Sequence, residues 1–262
     1  MATPIGNMGD ISARARETLA AVDLVASEDT RRTGLLLARL GIRKPQLSFH
    51  AFNEERSSSR ILGLLREGRD VALVSDAGTP GVSDPGFSLV RQAIAAEVPV
   101  TMVPGPCALI AALVLSGLPS HAFTFRGFPP RSEGARRRFL ECDAASPHTL
   151  IYYESPHRLG RLLRAAYAAF GDRPTAVCVE LTKMFEQVRR GGLGELAETM
   201  EAEHVRGEVT VVIGGVPRRH GARPADPDAG GQACGDGRAA GRCGAGRSVR
   251  LSRERAPGRT GR

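Results

Sequence analysis

The chain has 262 residues, of which 42% are hydrophobic and 5% aromatic, and its formal net charge is +8. That apolar share is sufficient for a hydrophobic core, which excludes a wholly disordered chain, and the longest apolar run (residues 107–115) is too short to cross a bilayer, which excludes a transmembrane protein. The five Cys are an odd number without CxxC spacing, which argues against a disulfide framework and favours a reducing compartment. Because no basic segment followed by a long apolar stretch begins the sequence, we expect a cytoplasmic protein.

The first half of the chain alternates short apolar runs, typical of buried strands, with segments of helical periodicity. Asp10 is expected to cap a first helix that carries Ile11, Ala15, Leu19 and Val22 on one side. Strands are predicted at residues 24–26, 46–50, 71–74, 98–103 and 123–128. Helices are predicted between these strands, with C-terminal stops at Gly41, Gly68 and Gly117. This alternation predicts a parallel sheet with helices on both faces.

A Pro129-Pro130 pair marks the expected domain boundary, because it cannot continue a strand interior. In the second half, strands are predicted at residues 149–153, 176–181 and 209–213, with helices at 156–170 and 193–203. We therefore predict an α/β fold of two domains. A parallel-sheet N-terminal domain spans residues 1–128, and a smaller mixed α/β C-terminal domain spans residues 129–216.

The basic charge is concentrated in a tail, residues 217–262, which carries 11 Arg against 4 acidic residues, whereas residues 1–216 have a net charge of +1. The tail is rich in Gly and Arg and has few large aliphatic side chains, so we predict that it is disordered. An RNA-binding tail and a passive extension are both open alternatives. The absence of an RGG triplet favours the passive extension.

Three loops rich in Gly and Pro occupy residues 2–7, 75–86 and 103–108. In open α/β sheets, ligands bind beyond the carboxyl ends of the strands, where Gly permits close backbone approach and Pro holds the loop shape. The second and third loops together predict a rigid shelf for a flat ligand such as an adenosine, although ordinary turn chemistry explains either loop alone. Neither loop has the GxGxxG or GxxxxGK[ST] pattern, which argues against a nicotinamide enzyme and a P-loop NTPase.

Polar residues follow several predicted strands, at residues 27–32, 50–54, 152–158 and 180–183. In the first of these clusters, Glu28 and Asp29 are suited to binding a hydroxyl or orienting a base, and Arg31 and Arg32 to holding phosphate. A capped helix N-terminus accounts for the same residues and is slightly favoured. The Arg-rich stretch at 126–138 fits either a nucleic-acid backbone or a solvated helix face, and the body has no clustered His and Cys set for a metal.

Six strings in unbroken order resemble the ribosomal RNA small-subunit methyltransferase I family of the tetrapyrrole methylase (class III) superfamily, over roughly residues 2–215. They are ATPIGN, SEDTRRT, SDAGTPGVSDPG, VPGPCALIAAL, YYESPHR and ELTK. The resemblance implies a two-domain tetrapyrrole-methylase-like fold, a homodimer, and S-adenosylmethionine bound in the cleft between the domains. It also implies 2′-O-methylation of a cytidine ribose in the decoding region of 16S ribosomal RNA, within the small ribosomal subunit.

Carried onto this sequence, the resemblance implies a cofactor site of Pro4, Asp76, Gly78, Thr79, Pro80, Cys107, Ala108, Tyr153, Leu181 and Thr182. RNA contacts are implied for Glu28, Thr30, Arg31, His50 and Arg158. A ribose hydroxyl is a poor nucleophile, so a general base should accelerate the reaction by roughly 10²–10⁴-fold. Asp29, Glu154 and His157 are the open alternatives for that catalytic base, and no metal is required.

The sequence also departs from the family pattern. Members usually begin with an apolar strand of the LYLVATPIGN type, so the first strand of the N-terminal domain is expected to be missing here. Glu97 stands where a Gly usually ends a helix. Two alternative functions are open: a tetrapyrrole C-methyltransferase or diphthine synthase on the same fold, and a catalytically impaired paralogue that binds RNA.

Overall fold

The computed structural model describes residues 1–203 and 205–216, which fall within one compact unit, Met1–Arg218. The predicted disordered tail, residues 217–262, lies outside the described residues. Since the described part is one unit, the division into two domains stays a prediction.

The first sheet contains three described strands, all parallel, in the order β2-β1-β3. They are β1 (Leu24–Ser27), β2 (Gln46–Ser48) and β3 (Val71–Val74). In the register of this sheet, Val25 lies opposite both Gln46 and Ala72. The parallel sheet predicted from the apolar runs is confirmed, and because its strands are parallel, the loops after β1, β2 and β3 emerge at one edge.

Helices flank this sheet. They are α1 (Ala13–Ala21), α2 (Thr30–Arg39), α3 (Glu54–Arg66) and α4 (Phe87–Ala95), whereas α5 (Ala108–Ser116), the next helix along the chain, packs on the second sheet. The predicted stops Gly41, Gly68 and Gly117 all have left-handed φ angles, of 72°, 81° and 73°. Glu97 also has a positive φ, of 55°, which is the conformation that a Gly would adopt without strain.

The predicted cap of the first helix is wrong. Ser12, rather than Asp10, caps α1, because the Ser12 side chain accepts a hydrogen bond from the Ala15 backbone N–H at 3.1 Å. Asp10 instead belongs to a short 3-10 helix, Met8–Asp10. Both residue types are good caps, so position relative to the following turn decides which one is used.

The predicted strand at residues 98–103 is absent from the described structure. The first three residues run between this segment and β3. The Met1 amino group donates to the Leu73 carbonyl at 2.7 Å, and the Ala2 N–H donates to the Val103 carbonyl at 3.0 Å. Residues 98–103 form no strand ladder with any described residue, and Val100 and Met102 are exposed.

The second sheet contains five described strands in the order β4-β5-β8-β6-β7. They are β4 (Phe123–Phe125), β5 (Thr149–Glu154), β6 (Pro174–Val179), β7 (Gln187–Gly192) and β8 (Val209–Ile213). The pair β4–β5 is parallel and the other pairs are antiparallel, so the sheet is mixed, whereas the sequence predicted an α/β second half without strand orientations. The strand β7 was not predicted, because its sequence QVRRGG lacks apolar alternation.

The change from one sheet to the other comes before Phe123, not at Pro129-Pro130. Residues 123–128 were expected to close the N-terminal domain, whereas β4 pairs with β5 of the second sheet. The Pro129-Pro130 pair ends the extended segment that follows β4. It comes after the chain has already passed from the first sheet to the second.

The helices α6 (Glu133–Glu141), α7 (Leu159–Phe170) and α8 (Leu193–Ala202) pack on one face of the second sheet, and α5 packs on the other. Along β5, Leu150 and Tyr152 enter the core with α7, while Ile151 and Tyr153 face α5. This alternation is the two-residue period of a strand, and it brings Tyr153 to the α5 side, where the third Gly/Pro loop lies.

Candidate active site

A cavity of about 370 Å³ lies where the loops of the first sheet meet the second sheet. From the first half of the chain it is lined mainly by Glu28, Arg32, Asp76, Gly78, Thr79 and Asp84. From the third loop onward it is lined mainly by Cys107, Ala108, Phe128, Tyr153, Glu154 and Glu208. The volume is within the usual range for a small-molecule site.

The first loop braces the second at the cavity wall. Thr3 and Gly78 exchange backbone hydrogen bonds of 2.8 and 3.0 Å, and the buried Thr3 hydroxyl donates to the Ser75 carbonyl at 3.1 Å. Gly78 has a φ of 84°, and a Cβ there would lie 3.4 Å from the Ile5 side chain. The position therefore favours Gly, and the absence of a side chain there lets a ligand in the cavity approach the wall closely.

Asp76 connects the second loop to the start of α2. Its carboxylate accepts a hydrogen bond from the Asp29 N–H at 3.0 Å and lies 3.3 Å from the Arg32 guanidinium. Because the loops after β1 and β3 leave the same edge of the sheet, this contact follows from the parallel order of the strands.

Asp29, a candidate catalytic base, does not line the cavity. It caps α2, since its side chain accepts the Arg31 N–H at 2.8 Å and pairs with the Arg31 guanidinium at 3.1 Å. The hydrogen bond from the Arg31 side chain lowers the pKa of Asp29. A carboxylate with a lowered pKa and two committed donors is a weak proton acceptor.

The cavity is rich in carboxylates. Five of its lining residues are acidic, namely Glu28, Asp76, Asp84, Glu154 and Glu208, and Arg32 is the one Lys or Arg among the described lining residues. Burial raises the pKa of Glu28 and that of Glu154. Burial, with the nearby charges of Glu28 and Asp76, raises the pKa of Asp84 to about 6. Asp76, Glu154 and Glu208 lie in ion pairs with basic side chains, so Glu28 and Asp84 are the carboxylates that most favour a cationic ligand.

Tyr153 pins the third loop to the second sheet. Its hydroxyl accepts the Leu109 N–H, in the first turn of α5, at 3.1 Å. Its ring lies 4.8 Å from that of Phe125 and 5.6 Å from that of Phe128. Burial raises the pKa of Tyr153, so the phenol stays neutral at physiological pH.

Glu154 and Arg158 form a braced pair beside the cavity. Glu154 is buried, and it accepts the Ser155 N–H at 2.7 Å and lies 3.2 Å from the Arg158 guanidinium. The Arg158 guanidinium also donates to the Pro129 carbonyl at 2.6 Å, and 22% of the side chain is exposed. Arg158 therefore anchors the Pro129-Pro130 segment, which limits its freedom to contact RNA.

The other predicted site residues lie outside the cavity lining. His157, in the 3-10 turn Pro156–Arg158, is exposed and lines a separate pocket with Arg161. Leu181 is buried in the α5 core cluster, and the Thr182 N–H donates to the Glu186 carboxylate at 2.6 Å. The remaining residues outside the lining are Pro4, Thr30, Arg31, His50 and Pro80.

The lining residues that were not assigned to the site from the sequence include Asp84, Phe128 and Glu208. Asp84 belongs to the second loop, so its place in a Gly- and Pro-rich turn after a strand was the available signal. Glu208 precedes β8, and because β8 is antiparallel to β5, its N-terminal end lies at the edge where β5 ends. The proximity of Glu208 to the end of β5 cannot be inferred without the strand order.

Within residues 1–203 and 205–216, no helix is long and apolar enough to span a membrane. The same residues hold no group of three or more His, Cys, Asp or Glu arranged to bind a metal ion.

The fold has counterparts among known proteins. Residues 2–197 match the family model for tetrapyrrole (corrin/porphyrin) methylases. A cobalamin biosynthetic enzyme, cobalt precorrin-4 methyltransferase, has a TM-score of 0.61 at 18% identity, covering 82% of this chain and 92% of that chain. A uroporphyrin-III C-methyltransferase from Thermus thermophilus, complexed with S-adenyl homocysteine, has a TM-score of 0.57 at 23% identity, covering 80% and 94%. The chain belongs to the tetrapyrrole methylase family.

Sequence relatives define a narrower group. The ribosomal RNA small subunit methyltransferase I of Micromonospora olivasterospora is 51% identical, over 83% of this chain and 70% of that protein. The protein of the same name from Xylella fastidiosa is 48% identical, over 85% and 83%. Within the tetrapyrrole methylases, the chain is therefore a member of the ribosomal RNA small subunit methyltransferase I family, which confirms the resemblance found in the six strings.

Proposed function

We propose that the protein transfers the methyl group of S-adenosylmethionine to the 2′-hydroxyl of a cytidine ribose in the decoding region of 16S ribosomal RNA. The observation that carries the proposal is the acid-lined cavity between the second and third Gly/Pro loops. The family match supports methyl transfer, and the names of the relatives support ribosomal RNA as the substrate.

The cavity suits this methyl donor in charge and shape. Its carboxylates complement the sulfonium and ammonium groups of the donor, and Gly78 and Ala108 leave room for close backbone approach. When bound, S-adenosylmethionine supplies an electrophilic methyl group on a positively charged sulfur. We assign donor binding to the predicted residues that line the cavity, Asp76, Gly78, Thr79, Cys107, Ala108 and Tyr153.

The RNA is expected to approach the cavity from the start of α2. Arg31 is 89% exposed there, beside Thr30, and its guanidinium is suited to a backbone phosphate. His50 follows β2 at the same edge of the sheet, and Glu28 is the member of this group that also lines the cavity. We further expect a homodimer that acts on the small ribosomal subunit in the cytoplasm.

The test is methyl transfer by the purified full-length protein. Small ribosomal subunits that lack the modification are incubated with S-adenosylmethionine labelled in its methyl group, and the labelled nucleotide is mapped. Label on the 2′-oxygen of one cytidine in the decoding region is expected. Label on a base atom, or transfer to a tetrapyrrole with none to RNA, would contradict the proposal.

A further inference from the structure

We propose that Asp84 is the general base that accepts the proton of the ribose 2′-hydroxyl. The inference rests on the proposed function and deepens it, because it names a catalytic residue for the same site. It replaces the three bases that the sequence left open, of which Asp29 and His157 lie outside the cavity lining and Glu154 is held by Arg158.

The loop that carries Asp84 is held in an unusual backbone conformation at the cavity wall. Ser83, directly before it, has a φ of 62°, and Gly81 and Gly86 have φ angles of 81° and 138°. The Gly86 N–H is held by the Glu54 carboxylate at 3.3 Å. A non-glycine residue in the left-handed region costs free energy and persists where the surrounding structure imposes it, most often at functional sites.

Asp84 is also the least committed carboxylate of the cavity. Asp76 holds the Asp29 N–H and faces Arg32, while Glu208 lies 3.2 Å from the Lys183 ammonium. Glu28 accepts a hydrogen bond from the Asp76 backbone. Among the described residues, Asp84 has no ion pair, and the buried Ser75 hydroxyl near it donates to the Ala77 carbonyl at 3.4 Å.

The electrostatic surroundings adjust the basicity of Asp84. Charged and titratable groups face the cavity around it from every neighbouring element, namely Glu28, Arg32, Asp76, Cys107, Tyr153, Glu154 and Glu208. Burial, followed by the charges of Glu28 and Asp76, raises its pKa to about 6. A base is most effective when its pKa lies near the working pH while it is still ionised, and Asp84 meets both conditions near neutral pH.

The reaction balances with this assignment. The ribose 2′-oxygen attacks the methyl carbon, so that an O–C bond forms while the S–C bond breaks. The electron pair of the S–C bond stays on sulfur, which becomes a neutral thioether, and the hydroxyl proton passes to the Asp84 carboxylate. Solvent then takes up that proton, and the carboxylate is regenerated.

The experiment compares Asp84→Asn with the matched control Asp10→Asn, an exposed residue outside the cavity lining. Methyl transfer to small ribosomal subunits is measured at saturating donor and across pH, and S-adenosylhomocysteine binding is measured by calorimetry. Asp84→Asn is expected to lower kcat by roughly 10²–10⁴-fold while the Kd for S-adenosylhomocysteine stays unchanged. Asp84→Glu is expected to recover part of kcat, and Asp10→Asn to behave as wild type.

The pH profile gives a second readout that needs no variant. The wild-type kcat/KM for the donor, which reports the pKa values of the ligand-free protein, is expected to rise with pH along an acid limb centred near pH 6, the pKa that burial gives Asp84, and Asp84→Asn is expected to lack that limb. A wild-type profile without the limb would overturn the inference even if no Asp84 variant folds.

The outcomes separate the inference from the proposed function. If the wild type methylates the ribose and Asp84→Asn keeps its kcat, the inference alone is wrong. A loss of S-adenosylhomocysteine affinity in Asp84→Asn would make Asp84 a donor-binding residue and also overturn it. If the wild type does not methylate a ribose oxygen, the proposed function fails and this role for Asp84 fails with it.

Discussion

Asp76 both shapes the cavity and contributes negative charge to it. It fixes the N-terminus of α2 through the Asp29 N–H, and it contributes a carboxylate to the wall. The ion pair with Arg32 is largely exposed and is worth little by itself. The contribution of Asp76 to ligand binding should therefore come from its position in the wall and from its hydrogen bond to the backbone.

Asp76→Ala is expected to weaken S-adenosylhomocysteine binding. Losing a hydrogen bond that involves a charged group costs about 1.5–3 kcal/mol, which corresponds to roughly a 10- to 100-fold increase in Kd. Calorimetry measures the change. Asp70→Ala is the matched control, since Asp70 precedes β3 whereas Asp76 follows it. Unchanged affinity in Asp76→Ala would remove the second loop from the donor site.

Asp84→Asn is expected to stabilise the folded protein near neutral pH. The pKa of Asp84 rises from its ordinary value of 3.8 to about 6 on folding, so the folded state binds the proton more tightly. Its contribution to the free energy of unfolding is therefore complete below about pH 4 and is lost as pH rises through about 6.

Because Asp84 is half-exposed, solvent screening limits the gain to roughly 1 kcal/mol, or about 2–4 °C in Tm. The gain in Tm is measured from melting curves of the wild type and Asp84→Asn at about pH 7.5. At about pH 3.5, where Asp84 is largely protonated in both the folded and the unfolded state, the two curves should coincide. A lower Tm for the variant at the higher pH would show that Asp84 is stabilised by its surroundings, contrary to the burial found here.

At the scale of elements, the parallel strands determine the site. Because β1 and β3 are neighbours, the loops that follow them lie close together. The apolar runs that predicted these parallel strands therefore also predicted that the loop residues Glu28 and Asp76 lie at the same edge of the sheet. Residues 98–103 have an equally good strand pattern and form no strand, since ladder formation depends on a partner that their own sequence does not specify. The strand β7 illustrates the converse, because pairing with β6 compensates for a poor pattern.

The bridge between the first and second loops depends on the backbone conformation of Gly78. Gly78→Ala is expected to destabilise the protein by about 1–2 kcal/mol, because an L side chain is strained at a φ of 84°. Gly63→Ala, in the middle of α3 with open space around the new methyl group, is expected to stabilise it by up to about 1 kcal/mol. Urea unfolding measures the change in the free energy of unfolding for each variant. An equal change for Gly78→Ala and Gly63→Ala would refute the role of the bridge.

At the scale of the whole molecule, the body and the tail have different charge. The body has a net charge of +1, although acidic residues outnumber basic ones in the cavity lining, whereas the tail has +7. The six motifs identified the family from sequence alone because their order reflects the order of loops around the site. The charge of the cavity was not predictable in the same way, because Asp84, Glu154 and Glu208 come together only when the two sheets are in place.

Deletion of residues 217–262 is expected to leave the Tm of the body nearly unchanged. Residues 217–262 contain few large aliphatic side chains, so they offer little apolar surface to bury against the hydrophobic clusters of the described residues. Differential scanning calorimetry of the full chain and the shortened chain tests this. A fall of several degrees would show that the tail packs against the body.

The surplus of carboxylates in the cavity has a consequence for turnover. Under the proposed reaction, the sulfur loses its positive charge as the methyl group leaves, so the attraction that helped the fresh donor to bind is reduced for the spent one. The carboxylates of the cavity thereby distinguish S-adenosylmethionine from S-adenosylhomocysteine by charge, although the two molecules differ by a single methyl group. The protein would thus resist inhibition by its own by-product, and raising the ionic strength would narrow that advantage.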